Sequence, residues 1–153
     1  MTEGGRLVLL AFTAAAAFSD LCLGKIRNIQ ILLMLAAGAG WLAIHAADKI
    51  PGVAAAMALT LALLLPFWQL GGMGAGDIKL LMVLAPFLGV QWYIVNFVFS
   101  FLIGAVFSAV LLIRYRDLSR TVHFAVPVCI SVMLCLLLQQ LGIQSETLIN
   151  CLT

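Results

Sequence analysis

Six apolar stretches run the length of the chain, at roughly 6–24, 29–47, 53–70, 78–90, 92–113 and 122–142, separated by short polar or glycine-bearing links. A membrane-crossing helix needs about 20 apolar residues, with a range of about 17–25. The fourth stretch is the short one. Pro51-Gly52 marks a turn ahead of the third stretch. Pro66, Pro86 and Pro127 fall inside stretches, which membrane helices tolerate better than soluble ones. The pattern predicts an all-α, polytopic membrane protein with six transmembrane helices. It predicts a single domain over residues 1–153, with no internal repeat and no low-complexity tract.

Composition strengthens this reading. Of 153 residues, 65% are hydrophobic and 9% charged, and the mean hydropathy is +1.20. A soluble domain carries about 25% charged residues, so this apolar surplus cannot be hidden in one water-soluble core. The lipid bilayer is the implied partner. A net charge of +2 is too small to suggest nucleic acid.

The distribution of charge says more than its sum. Lys25 and Arg27 lie between the first two stretches, Lys79 between the third and fourth, and Arg114, Arg116 and Arg120 between the fifth and sixth. Only Arg6 and Lys49 lie on the other side. The positive-inside rule places the odd-numbered links in the cytoplasm and both termini outside. An alternative reading takes Arg6 and the following LVLLAFTAAAAF as a cleaved signal peptide. The charge asymmetry opposes it, and the apolar run continues past the alanines to Asp20.

Cys22, Cys129, Cys135 and Cys151 form no CxxC pair. They read as small hydrophobes rather than as a zinc site or disulfide framework. His45 and His123 fall near helix ends as interfacial residues, and Trp41, Trp68 and Trp92 look like interface anchors.

Six acids remain: Glu3, Asp20, Asp48, Asp77, Asp117 and Glu146. Four fall in links or tails and read as solvated charges. Asp20 follows an unbroken apolar stretch and is still inside the first span, where a carboxylate costs about 2.5–3.5 kcal/mol near the helix centre and less near its ends. Ion pairing within its own helix is poorly arranged, because Lys25 at i+5 points elsewhere and Arg27 at i+7 lies about 10 Å along the axis. Asp77 closes the run Gly71-Gly72-Met73-Gly74-Ala75-Gly76-Asp77. It reads either as the N-cap of the helix that follows or as a functional acid. Four glycines in six residues do not make a stable helix, and irregular backbone at membrane depth is tolerated where it lines a cavity or is buried in protein. Glycine also admits the close approach of an extended peptide backbone.

The charge topology puts Asp20 and Asp77 at the same face of the membrane. Two carboxyls in a partly desolvated site share one proton. The ionised member can then accept a proton from water while the protonated member donates to a peptide carbonyl. This chemistry needs no metal and no cofactor.

Gly74-Ala75-Gly76-Asp77-Ile78-Lys79-Leu80 resembles the GxGD motif of the type IV prepilin peptidases, a motif also found in presenilin-type peptidases. Asp20-Leu21-Cys22-Leu23-Gly24-Lys25-Ile26-Arg27-Asn28 resembles that family's aspartate followed by Ile-Pro-Asn. His123-Phe124-Ala125-Val126-Pro127 resembles its late Pro-Tyr-Ala-Val-Pro stretch. Two departures are Arg27 and His123, each where the family usually has proline.

The resemblance implies a GxGD loop at the start of helix four and a catalytic pair of Asp20 and Asp77. It implies that Gly74 and Gly76 face the substrate, with Lys79 either beside them or only a marker of the cytoplasmic side. It further implies an endopeptidase that removes a short basic leader from prepilin-like precursors. The short form resembles the peptidases of Flp, or tight-adherence, pili of the bacterial inner membrane, without a cytoplasmic methyltransferase domain. Two alternatives stay open: an ion- or proton-translocating protein, and a non-catalytic partner in pilus assembly. The oligomeric state is not legible.

Overall fold

The computed structural model describes residues 3–115 and 124–152, all helices and links. The late motif position His123, with Arg116, Asp117 and Arg120, lies outside the described residues. Among the described residues, six α-helices follow one another: α1 (Glu3–Leu23), α2 (Asn28–His45), α3 (Ile50–Gln69), α4 (Ala75–Tyr115), α5 (Ala125–Gln140) and α6 (Ser145–Leu152). A single 3₁₀ turn, Ala47–Lys49, joins α2 to α3.

Among the described residues, four helical stretches are long and apolar enough to cross a membrane: Glu3–Leu23, Asn28–His45, Ala47–Gln69 and Ala75–Leu111. Ala125–Gln140 is apolar but shorter. The expected fourth and fifth helices are the two arms of α4, which Gly89 breaks at φ +70° and ψ 163°. That backbone conformation favours glycine, because a side chain there meets the neighbouring carbonyl.

Side-chain contacts give each arm its direction. Lys79 in the first arm bonds to Asn28 at the start of α2, and Pro86 and Phe87 pack against Gly38, further along α2. The first arm therefore runs parallel to α2. Past the break, Val90 meets Gly52 near the start of α3, and Tyr93 Oη lies 2.6 Å from Thr60 Oγ1 farther along it. The second arm therefore runs with α3, and α4 doubles back at Gly89. The second arm reaches α5 at Gly104, which packs on Phe124 and Pro127. α5 then returns antiparallel to it, with Ser131 against Asn96 and Ser100. Gly5 of α1 packs on Trp41 near the far end of α2. One end of the bundle thus carries the start of α1, the Gly89 break and α6. The opposite end carries Asp20, the α1–α2 link and the start of α4.

Burial is arranged for an apolar solvent. Large side chains such as Leu7, Phe18, Leu32, Leu59, Phe67 and Val106 point outward, while Thr13, Ser19, Asp20, Thr60, Asn96, Ser100 and Ser131 are buried. Helices close on small residues. A Cβ on Gly38 would sit 2.8 Å from Phe87 Cε2, and one on Gly104 would sit 2.9 Å from Phe124 Cε2. Without a hydrophobic drive between helices in lipid, such close backbone packing supplies the adhesion.

Candidate active site

The glycine run divides into two devices. Gly71-Gly72 terminates α3: Gly71, at φ +72°, donates its N–H to Trp68 O at 3.0 Å, and Gly72 donates to Phe67 O at 2.9 Å. These are the paired bonds of a Schellman motif, which satisfies the orphan carbonyls at a helix end. Gly74 and Gly76 belong instead to the start of α4. The sequence places Asp77 just ahead of a helix beginning at residue 78. In the structure α4 begins at Ala75, so Asp77 is the third residue of its first turn rather than the N-cap.

From that position the carboxylate folds back over Gly74. A Cβ on Gly74 would lie 3.0 Å from Asp77 Oδ2, tighter than a methyl group and an oxygen ordinarily sit. Glycine at 74 is therefore what lets the carboxylate lie against the backbone. The Asp77 N–H donates to Gly74 O at 3.1 Å and the Ile78 N–H to the same oxygen at 3.4 Å. A negative group in the first turn also meets the positive end of the helix dipole. Gly76 differs. A Cβ there would meet Ile26 at 3.5 Å, which is ordinary contact.

Asp20 sits in the last turn of α1 and is buried, at 7% exposure. The chain turns sharply after it at Gly24, and Ser19 Oγ donates to Lys25 O at 3.2 Å. That bond folds the α1–α2 link back over the end of α1. Arg27, which stands at the family's proline position, has φ −75° and ψ 132°. A proline would hold nearly the same φ, so the turn keeps its shape without one. Gln30 Oε1 also accepts from the Arg27 N–H at 3.3 Å, a bond that proline would forgo.

The two acids are drawn to one end by this link. Ile26 packs against Gly76, and Asn28 Oδ1 accepts from Lys79 Nζ at 3.2 Å. Gly76 and Lys79 flank Asp77, while Ile26 and Asn28 close the turn that begins at Asp20. The Lys79 ammonium, expected beside a substrate, thus ties α4 to the α1–α2 link. Sequence reasoning did not single out Ser19, Ile26 or Asn28 as residues that bring the acids together. Asn28 lay within the quoted motif, but no local pattern marks it as the partner of Lys79.

The other acids stand apart. Glu3 pairs with Arg6 at 2.9 Å, Asp48 is exposed on the 3₁₀ turn, and Glu146 accepts from Gln91 at 3.3 Å.

The profile of the Type IV leader peptidase family matches residues 7–109, a span that contains both aspartates and the whole glycine run. No curated protein and no solved structure matches the chain.

Proposed function

The chain belongs to the Type IV leader peptidase family, and from that premise we propose that it is an aspartic endopeptidase acting through Asp20 and Asp77. One observation carries the reading. The link that starts at Asp20 is pinned, through Ile26 and Asn28, to the residues on either side of Asp77. The substrate class is a membrane-inserted precursor with a short basic leader, of the prepilin kind and in particular the Flp type. The helices α1, α2, α3 and α5 and the two arms of α4 make six segments that cross the bacterial inner membrane, and the eight-residue α6 stays outside it. The acid end faces the cytoplasm and both termini face away from it.

The chemistry follows from two carboxyls with one proton between them. The ionised carboxylate takes a proton from water as the water oxygen attacks the scissile carbonyl carbon. The protonated carboxyl donates its proton to the carbonyl oxygen, giving a neutral gem-diol. In the second half, a diol hydroxyl returns its proton to the carboxylate that gave one up. The other carboxyl protonates the leaving nitrogen, the C–N bond breaks, and the shared proton is restored. The pair titrates as a unit, so neither aspartate owns the role of base. The burial of Asp20 keeps its carboxyl partly out of bulk water, and charge interactions there are stronger than in solvent. Gly76 lets Ile26 of the α1–α2 link close on the first turn of α4, and Gly74 leaves room for the Asp77 carboxylate to lie against the backbone.

The test is cleavage of a synthetic precursor, basic leader plus apolar helix, by the purified protein in detergent. Release of the leader by the wild type and none by Asp20→Asn or Asp77→Asn supports the reading. Full processing by either variant would remove the dyad from consideration.

A further inference from the structure

At the end of the bundle away from the aspartates, a cavity of about 660 Å³ opens between the end of α2, the Gly89 break of α4, the end of α5 and the link to α6. Its lining is amphipathic. Trp41, Phe87 and Trp92 supply aromatic surface, and Lys49, Gln139 and Gln144 supply hydrogen-bond donors. Lys49 is the lining's fixed charge, and no carboxylate joins it: neither Asp48 nor Glu146 lines the cavity. Among the described residues Lys49 makes no ion pair.

His45 also lines the cavity. Its ring stacks on Trp41 with centroids 3.8 Å apart and planes 13° apart. Its Nδ1 lies 3.1 Å from Trp41 O, and a carbonyl only accepts, so Nδ1 carries the proton. In that tautomer Nε2 is an acceptor, so the ring adds aromatic surface to the cavity and no donor.

We propose that this cavity binds one anionic phospholipid. The Lys49 ammonium and the Gln139 and Gln144 amide N–H groups take the phosphodiester, and the glycerol and first acyl carbons lie against Trp41, Phe87 and Trp92. Three observations select this ligand. The sign of the lining calls for an anion. The aromatic surface calls for an apolar portion that a free ion lacks. The missing carboxylate leaves nothing to hold the amine of a zwitterionic headgroup. The volume is in the range of small-molecule sites, about 300–1,000 Å³, and tryptophans commonly mark the headgroup level of a bilayer. The proposal concerns the end of the bundle remote from the acids, so it stands or falls apart from the peptidase reading.

Native mass spectrometry of the protein in mild detergent, titrated with phosphatidylglycerol, phosphatidylcholine or inorganic phosphate, tests it. One phosphatidylglycerol should be retained about fivefold more strongly than phosphatidylcholine, the effect of a single cation near a lipid surface. Lys49→Gln should erase that preference, and Gln139→Leu should weaken retention of both lipids. Both positions lie at the water-facing end of the bundle, and retained helicity by circular dichroism checks the fold. Equal retention of the two lipids by the wild type, or an unchanged preference in Lys49→Gln, overturns the proposal. Displacement of phosphatidylglycerol by millimolar inorganic phosphate overturns it too, marking an ion site instead.

Discussion

Two polar constellations sit inside the same apolar bundle and differ in every respect that matters for chemistry. Between the second arm of α4 and α5, Asn96, Ser100 and Ser131 are fully buried. Ser131 Oγ lies 2.8 Å from Asn96 Oδ1 and 2.7 Å from Ser100 Oγ, and Ser100 Oγ donates to Asn96 O at 2.8 Å. These groups hold helices together. At the end of the bundle, Asp20 and Asp77 are less deeply buried and are ionisable, and they adjoin a glycine-bearing link. The contrast teaches that depth of burial does not by itself mark a catalytic group. What sets Asp20 and Asp77 apart as candidates is an ionisable group beside glycine-bearing backbone.

The largest expected effect breaks the comparison outright. Asp20→Asn and Asp77→Asn should each lower leader cleavage by at least about 100-fold. The double variant should be no worse than either single one, because the pair acts as a unit. Thermal stability should stay near wild type. Ser131→Ala should do the reverse, leaving cleavage per folded molecule unchanged and costing about 0.6–2 kcal/mol of stability in denaturant titrations.

Next come the two glycines. Gly74→Ala should push the Asp77 carboxylate off its backbone rest and lower kcat by up to about 100-fold, the scale of a 1 Å misplacement. Gly76→Ala meets Ile26 in ordinary contact, so it should leave kcat, KM and melting temperature close to wild type. A fall in kcat at 76 equal to that at 74 would erase the distinction between room for the carboxylate and ordinary packing.

The smallest effect belongs to the tie between Asn28 and Lys79. Asn28→Ala and Lys79→Ala should each reduce kcat by less than about tenfold, in line with about 0.5–1.5 kcal/mol for one hydrogen bond. If the tie is the whole role of Lys79, the double variant should match the singles. A larger loss for Lys79→Ala than for Asn28→Ala would give its ammonium a direct contact with substrate.

Much of this was legible in the residues alone. Periodic interruption of apolar runs located α1, α2, α3, both arms of α4 and α5 to within a few residues, because lipid forces each crossing segment to satisfy its backbone internally, whereas the short α6, Ser145–Leu152, carries no apolar run and was not foreseen. Loop charges set the acids at a common end, and a carboxylate inside the first span announced itself by its cost. The glycine run was read as one irregular segment. Only the folded chain separates Gly71-Gly72, which finish α3, from Gly74 and Gly76, which shape the start of α4.

The doubling-back at Gly89 and the partners Ile26–Gly76 and Lys79–Asn28 were decided by tertiary structure alone. Membrane helices are specified one at a time by local composition. Which faces meet is set by close packing between distant small residues, and no local pattern encodes that.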